Sequence, residues 1–243
     1  MAEQTLILIL LIFILALLIM SLMFFYNIRR GHKSIQAMEK KYLEHEISIL
    51  KNQMSPHFIL NTINNISVLM DSDTGRSKDL LIKFGDLLRY STYEVGNHKV
   101  ELSKTLDYLD KYIELQRLRF KEKDIIHFSV HGDPENKFIA PMLLLPFIEN
   151  AFKYGQRDGG KNPSIKIEIR ISENNLSLFV RNYIKKRQKY TEKGIGINNT
   201  TKRLELIYPN QHNLNIYNDG DQFFVELDIN DLNNGKENKL YSN

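Results

Sequence analysis

A chain of 243 residues with 33 basic and 29 acidic side chains, net charge +4, has room for one or two modest domains and shows no strong charge bias. Its basic residues are scattered over several segments, without an RNP motif, zinc-ligand spacing or helix-turn-helix, which argues against direct nucleic-acid binding. With no cysteine, the chain has no disulfide, thiolate zinc site or cysteine nucleophile, as suits a catalytic part in a reducing cytosol.

Residues 5–26, TLILILLIFILALLIMSLMFFY, carry no charge. As a helix this run reaches about 30 Å, the hydrocarbon thickness of a bilayer. It exceeds the h-region of a signal peptide, nothing basic precedes it, and no small-x-small cleavage site follows. Arg29, Arg30 and Lys33 come directly after, so the positive-inside rule places everything beyond residue 28 in the cytoplasm. The expectation is a single-pass anchor in the inner or plasma membrane over residues 1–28, in contact with lipid and with no sensor domain ahead of it.

The cytoplasmic part begins with helical spacing over residues 34–54: Ile35, Met38, Tyr42, Leu43, Ile47, Leu50 and Met54. The helix is expected to run on past Pro56 with a bend. Beyond it Ile59, Ile63, Ile66 and Met70 form an apolar stripe, with His57, Asn61 and Asn64 on a separate polar face. Residues 71–75 are a turn, and a second amphipathic helix carries Leu80, Leu81, Phe84, Leu87 and Leu88. Such a hairpin needs partners for its stripes, so a homodimer completing a four-helix bundle is expected. A third helix spans 103–120, with Ser103 as N-cap and Leu106, Leu109, Ile113 and Phe120 on one side.

From about residue 124 the period changes to that of strands. Ile126, Phe128 and Val130 alternate; a helix over 142–154 starts at Pro141. Ile165 to Ile171 and Leu176 to Val180 form a hairpin around the turn SENN. A basic loop covers 183–193, a helix 197–208 stops at Pro209, and a last hairpin, Leu214–Ile216 with Phe223 to Ile229, closes around Asn218-Asp-Gly220. The tail from 231 is polar. Hairpins with amphipathic helices between them imply an α+β two-layer sandwich, a mixed sheet covered on one face by helices.

Three segments carry chemistry. In Leu144-Leu-Pro-Phe-Ile-Glu-Asn-Ala-Phe-Lys-Tyr-Gly155, Glu149 and Lys153 lie one turn apart and Asn150 offers a neutral oxygen of the kind Mg²⁺ accepts beside phosphates. An intrahelical Glu149–Lys153 pair is the plainer alternative. Gly194-Ile-Gly196-Ile-Asn-Asn199 precedes a helix with Arg203; glycines at a helix start let backbone N–H groups meet a phosphate. The lysines and arginine from Lys185 to Lys193 precede it, either as a phosphate-binding lid or as a solvated loop. In Gln53-Met-Ser-Pro-His57-Phe-Ile-Leu-Asn61, the histidine on a helix surface is either simply a solvated residue or an exposed acceptor for a phosphoryl group.

In order and spacing these segments resemble the LytS-type sensor histidine kinases, two-component sensors with a Bergerat-fold (GHKL) ATPase domain. QMSPHFILNTIN is similar to that family's phosphoacceptor motif, which maps the phosphorylated residue to His57. YIELQRLRF, residues 112–120, looks like the helix that precedes the ATPase domain. LPFIENAFKYG resembles the N-box; the resemblance makes Asn150 the Mg²⁺ ligand and Lys153 and Tyr154 nucleotide contacts. GIGINNTTKRLELIYP is similar to the glycine box, implying Gly194, Gly196, Asn199 and Arg203. Where the family often carries Asp-x-Gly-x-Gly after a strand, this chain has Asn182, whose amide oxygen accepts from the adenine amino group without a charge. No acidic residue follows His57 directly, so Glu149 is the candidate base.

The resemblance thus implies an anchor over 1–28, a helical dimerisation and phosphoacceptor region over 29–122, a GHKL-type catalytic domain over 123–230 and a tail over 231–243. It implies ATP and Mg²⁺, autophosphorylation of His57, and transfer to an aspartate of a response regulator, of the LytTR type. A membrane-bound pseudokinase scaffold is the alternative. A chaperone or serine kinase of the same fold fits less well, because the anchor leads straight into the Pro-His-Phe helix.

Overall fold

The structure, a computed structural model, describes residues 56–94, 97–120, 125–155, 164–184 and 195–232, with Met20 and Met23 besides. The chain falls into two compact units, Met1–Leu50 and Lys51–Asn243. Of the first, Met20 and Met23 alone are described. The apolar run 5–26 and the helix expected over 34–54 otherwise lie outside the described residues, as does Gly194. Among the described residues no helix is long and apolar enough to cross a membrane.

The second unit opens with three helices: α1, Pro56–Met70; α2, Thr74–Tyr93; and α3, Leu102–Arg117. Pro56 is the first described residue of α1, and the stretch before it, where the helix is expected to bend, lies outside the described residues. Asp73 caps α2, its carboxylate accepting from Arg76 N at 2.9 Å. α2 and α3 are laced by Lys83–Glu114 at 2.7 Å and Lys111–Asp86 at 2.9 Å. These pairs are partly exposed, so their contribution is small and the packing of apolar faces dominates.

α1 buries a different stripe from the one its periodicity suggests. Phe58, Thr62 and Ile66, at i, i+4 and i+8, face inward, while Ile63 and Met70 are exposed. Sequence pattern could not choose between two apolar faces on one helix; the aromatic pocket that receives Phe58 does. Leu60, Ile63, Val68 and Met70 of α1, with Leu81, Ile82 and Leu88 of α2, remain exposed as a band of large apolar side chains.

The sheet has five strands in the order β2-β4-β5-β7-β6, comprising β2 (Ile126–His131), β4 (Ile165–Ile171), β5 (Leu176–Tyr183), β6 (His212–Asp219) and β7 (Gln222–Ile229). β2 and β4 are parallel and the other pairs antiparallel, giving the expected mixed sheet. Ile165, Ile167, Ile169, Leu176, Leu178, Val180, Val225 and Leu227 are buried on one face, against α4 (Leu145–Tyr154) and α5 (Ile195–Ile207). Two short strands missing from the sequence reading, β1 (Val100–Glu101) and β3 (Phe138–Ile139), pair antiparallel and bring the start of α3 to the segment leading into α4.

Several boundaries differ for local reasons. α3 starts at Leu102 with Glu101 as its N-cap residue and no side-chain capping bond; Ser103 is inside the helix, because Leu102 N donates to Lys137 O in the strand-pair region. α4 begins at Leu145 with Pro146 in its first turn, since Met142 takes φ 58° and breaks any helix that starts at Pro141. The last hairpin turns on Gly220 and Asp221, Gly220 having φ 63°. Of the tail expected from 231, the described residues Asp231 and Leu232 belong to the fold: Leu232 is fully buried, Phe138 N donates to Leu232 O at 2.8 Å, and Asp231 pairs with Lys99 at 3.2 Å.

The aromatic rings of Phe58 and Tyr112 lie 4.9 Å apart, and Tyr112 meets Phe152 of α4 edge-on at 6.0 Å. Phe58→Ala removes the side chain that seats α1 in this cluster. It is expected to cost about 3 to 5 kcal/mol in denaturant unfolding, the usual range for an emptied aromatic site. An effect below about 1 kcal/mol means that α1 is not held by Phe58.

Candidate active site

α1, α3, α4 and α5 enclose one cavity of about 750 Å³. α1 contributes His57 and Asn61; α4 contributes Glu149, Asn150, Lys153 and Tyr154; α5 contributes Gly196 and Ile197. Residues from the three segments singled out in the sequence, His57, Asn150 and Gly196 among them, therefore meet in one place, across some 140 residues of chain.

His57 is exposed while the next residue, Phe58, is buried. One helical step thus separates an anchored ring from an available imidazole. Asn61, a turn later, places its Nδ2 3.1 Å from each ring nitrogen of His57. A neutral imidazole has one nitrogen with a free lone pair, so the amide donates to that nitrogen and the other carries the proton. The polar face proposed for this helix is thereby a bonded pair, with Asn64 exposed beside it.

α4 is apolar on most of its surface, with Leu145, Phe147, Ile148, Ala151 and Phe152 buried. That burial draws Glu149 and Asn150 partly inside: Asn150 is 8% exposed. Burial pushes the Glu149 carboxyl up to about 7, against a smaller opposing pull from Lys153. Lys153 itself is exposed, with Nζ over the Tyr154 ring at 4.9 Å. The plain reading of Glu149 and Lys153 as a surface pair misses this: the acid is desolvated more than it is paired.

The cavity has a fourth wall that sequence reasoning missed. Tyr112, Gln116 and Arg119 of α3 and its C-terminal extension line it. Gln116 Nε2 donates to Tyr112 Oη at 2.7 Å, and Arg119 Nη1 donates to Gln116 Oε1 at 2.9 Å. Their spacing, i, i+4 and i+7, was available as a signal. It was overlooked because Leu106, Leu109 and Ile113 already supplied an apolar face.

Other sequence candidates lie elsewhere. Asn182 sits on the helix-covered face of β5, fully buried, its Nδ2 donating to Tyr183 O at 3.3 Å; its Oδ1 is buried without a hydrogen-bond partner. Asn199 is half-buried on α5 and is not among the lining residues. Arg203 is buried, and its Nη2 donates to Pro141 O at 3.1 Å, tying α5 to the segment that leads into α4.

Among the described residues no cluster of three His, Asp or Glu side chains could hold a metal ion. The oxygen ligands that α4 brings to the cavity are the Asn150 amide and the adjacent Glu149 carboxylate. That set fits Mg²⁺, which prefers one or two protein oxygens supplemented by water and phosphate oxygens to an all-protein cage.

A Cβ added at Gly196 would meet nothing within 4 Å. Gly196→Ala is therefore expected to leave the fold intact, or to raise stability by about 0.5 to 1 kcal/mol through lower helix entropy, while weakening any ligand that approaches this backbone. Thermal unfolding together with nucleotide titration checks both halves.

Glu149 makes a second measurable claim. Its carboxyl titrates at about 7 in the folded chain against an ordinary 4.5. Between those values the folded state holds a proton that the unfolded state has lost, so stability falls as pH rises, until both states are ionised above about 7. Glu149→Gln removes the penalty. Measured without Mg²⁺ by urea unfolding, the variant should gain roughly 2 to 3 kcal/mol over wild type between pH 4 and pH 8. Parallel pH profiles for the two proteins contradict a desolvated carboxyl.

Comparison with known proteins gives the following. Residues 45–124 match the family model described as histidine kinase. The sensor protein kinase HptS of Staphylococcus aureus is 27% identical over 180 residues, which are 74% of this chain and 32% of that protein. The chain thus spans about a third of the length of the curated relatives it matches. Among solved structures, the histidine kinase domain from the Erythrobacter litoralis EL346 blue-light activated histidine kinase aligns at 14% identity over 78% of this chain and 95% of that one, TM-score 0.39. The Acinetobacter baumannii histidine kinase AdeS aligns at 14% identity over 79% and 98%, TM-score 0.39.

Proposed function

We propose, for a chain that belongs to a sensor histidine kinase family, that it transfers the terminal phosphoryl group of ATP to His57 and then to an aspartate of a separate response regulator. The observation that carries this reading is that His57 and Asn150 line the same cavity. An acceptor and a phosphate-binding helix in one enclosure supply positioning, and positioning with electrostatic support is most of what phosphoryl transfer requires.

The lone pair of one His57 ring nitrogen forms the new N–P bond. The bond from that phosphorus to its bridging oxygen breaks, and the oxygen keeps the electron pair as ADP leaves. The proton on the other ring nitrogen must then depart. Glu149 lines the same cavity, and a carboxyl held near 7 is suited to accept that proton at neutral pH. Bound Mg²⁺ would neutralise phosphate charge, with Asn150 as its protein ligand. Lys153, Tyr154 and Gly196 are the nucleotide contacts on the cavity wall; Gly194 and Asn199 are ascribed to the same role by the glycine-box resemblance. The adenine amino group is ascribed to Asn182 Oδ1 by the motif resemblance; that oxygen is buried without a hydrogen-bond partner and lies off the cavity lining. We assign Arg203 to holding α5 in place, since its bond to Pro141 O occupies it inside the fold.

The exposed apolar band on α1 and α2 supports a homodimer through these helices, because seven large apolar side chains on one hairpin find cover in a second copy. The run 5–26 supports a single-pass membrane anchor with the α+β unit, read as GHKL-type, in the cytoplasm. The regulator is of the LytTR type on the strength of the motif resemblance. A nucleotide-binding scaffold without transfer gives no role to an exposed imidazole on the cavity wall, and we set it aside.

His57→Gln tests the reading. With γ-labelled ATP the wild-type chain should acquire acid-labile, base-stable phosphate, and the variant none, with ADP affinity changed less than about twofold because His57 comes from α1 and not from the helix that carries Asn150 and Lys153. Undiminished labelling of the variant overturns the assignment and turns attention to His45.

A further inference from the structure

We propose that Arg119 is a further catalytic residue of this site, its guanidinium contacting the terminal phosphate of ATP during transfer to His57. The inference deepens the reading above and rests on His57 as the acceptor. Three observations carry it.

Arg119 lines the same cavity as His57, Glu149 and Asn150 although it comes from α3's C-terminal extension, not from any of the three motifs. Among the described residues no carboxylate pairs with it. It and Lys153 supply the fixed positive charge on the described walls, and the Lys153 ammonium is drawn over the Tyr154 ring. A cavity whose guanidinium has no acid partner among the described residues is set to receive an anion.

The guanidinium is also held. Gln116 accepts its Nη1–H at 2.9 Å, and Gln116 in turn donates to Tyr112 Oη at 2.7 Å. Gln116 is 3% exposed and Tyr112 2%. An arginine serving only the carboxyl end of a helix needs no buried amide behind it. Here two buried side chains fix one donor of a five-donor fork, which is the preorganisation that stabilises charge developing in a transition state. Tyr112, finally, is the residue against which Phe58 packs at 4.9 Å. The support that orients Arg119 is therefore the support that seats His57, so acceptor and cation are positioned by one cluster.

In the transfer step the N–P bond forms at His57 as the bond to the bridging oxygen breaks. Negative charge spreads over the three equatorial oxygens, and Arg119 donates to them without taking or giving a proton. ADP lacks those oxygens, so the contact distinguishes ATP from ADP.

The experiment uses the full chain in detergent micelles, as wild type, Arg119→Ala and Arg119→Lys. Mg·ATP and Mg·ADP affinities are measured by displacement of a fluorescent nucleotide, and the labelling rate is followed with γ-labelled ATP. Arg119→Ala is expected to weaken ATP about tenfold while ADP stays within about twofold, and to slow labelling about a hundredfold. Arg119→Lys should recover part of the ATP preference, because charge survives but the fork does not. Equal weakening of ATP and ADP, or no change in either affinity or in rate, overturns the proposal. If the wild-type chain itself takes no label, the reading of His57 fails, yet the ATP-over-ADP comparison still decides for or against Arg119.

Discussion

The contact between Phe58 and Tyr112 is the constraint on which the rest of this structure depends. Phe58 is the neighbour of His57, and Tyr112 is packed in turn against Phe152 of the helix that carries Glu149 and Asn150. Three rings, from α1, α3 and α4, therefore set the position of the imidazole relative to the cavity. Aromatic clusters of this kind add face and edge preferences to plain burial, so they fix orientation as well as proximity. An exposed histidine on an unanchored helix would sample many positions; one beside a buried phenylalanine samples few.

The cavity sets a cost against this order. Placing Glu149 where water is sparse raises its carboxyl to about 7, and an acid near neutrality is a weaker stabiliser of the fold than an exposed one. Functional sites commonly carry such local penalties, which the surrounding core offsets. Here the offset is visible in α4, where Phe147, Ile148 and Ala151 are buried and do not line the cavity. The two polar residues that matter interrupt an otherwise apolar helix, and the helix tolerates them because its remaining surface is committed to the core.

Much of the fold was legible in the sequence. Strict alternation from Ile165 to Ile171 and from Leu176 onward leaves one arrangement that buries all the isoleucines together, and the structure adopts it. That the segments holding His57, Glu149, Asn150 and Gly196 belong to one site was implied by the motif resemblance, and one cavity is lined by all four residues. Less legible were features where two local solutions have similar energy. α1 has apolar residues on two faces, and the choice between Ile59 or Ile63 and Phe58 belongs to the pocket on α3. α4 has prolines at both Pro141 and Pro146, and a left-handed Met142 decides between them. Arg203 read as a ligand contact because it follows the glycine box, but its partner, Pro141 O, is 62 residues away along the chain.

By itself, then, the sequence determined periodicity, the sheet's buried face, the apolar run 5–26 and the residue types available for chemistry, since these depend on neighbours within a few positions. Tertiary structure alone decided which α1 face is buried, that Tyr112, Gln116 and Arg119 form a wall of the cavity, that Glu149 loses its water, and that Arg203 turns inward. Each of these depends on a contact between distant segments, where desolvation and packing outweigh local preference.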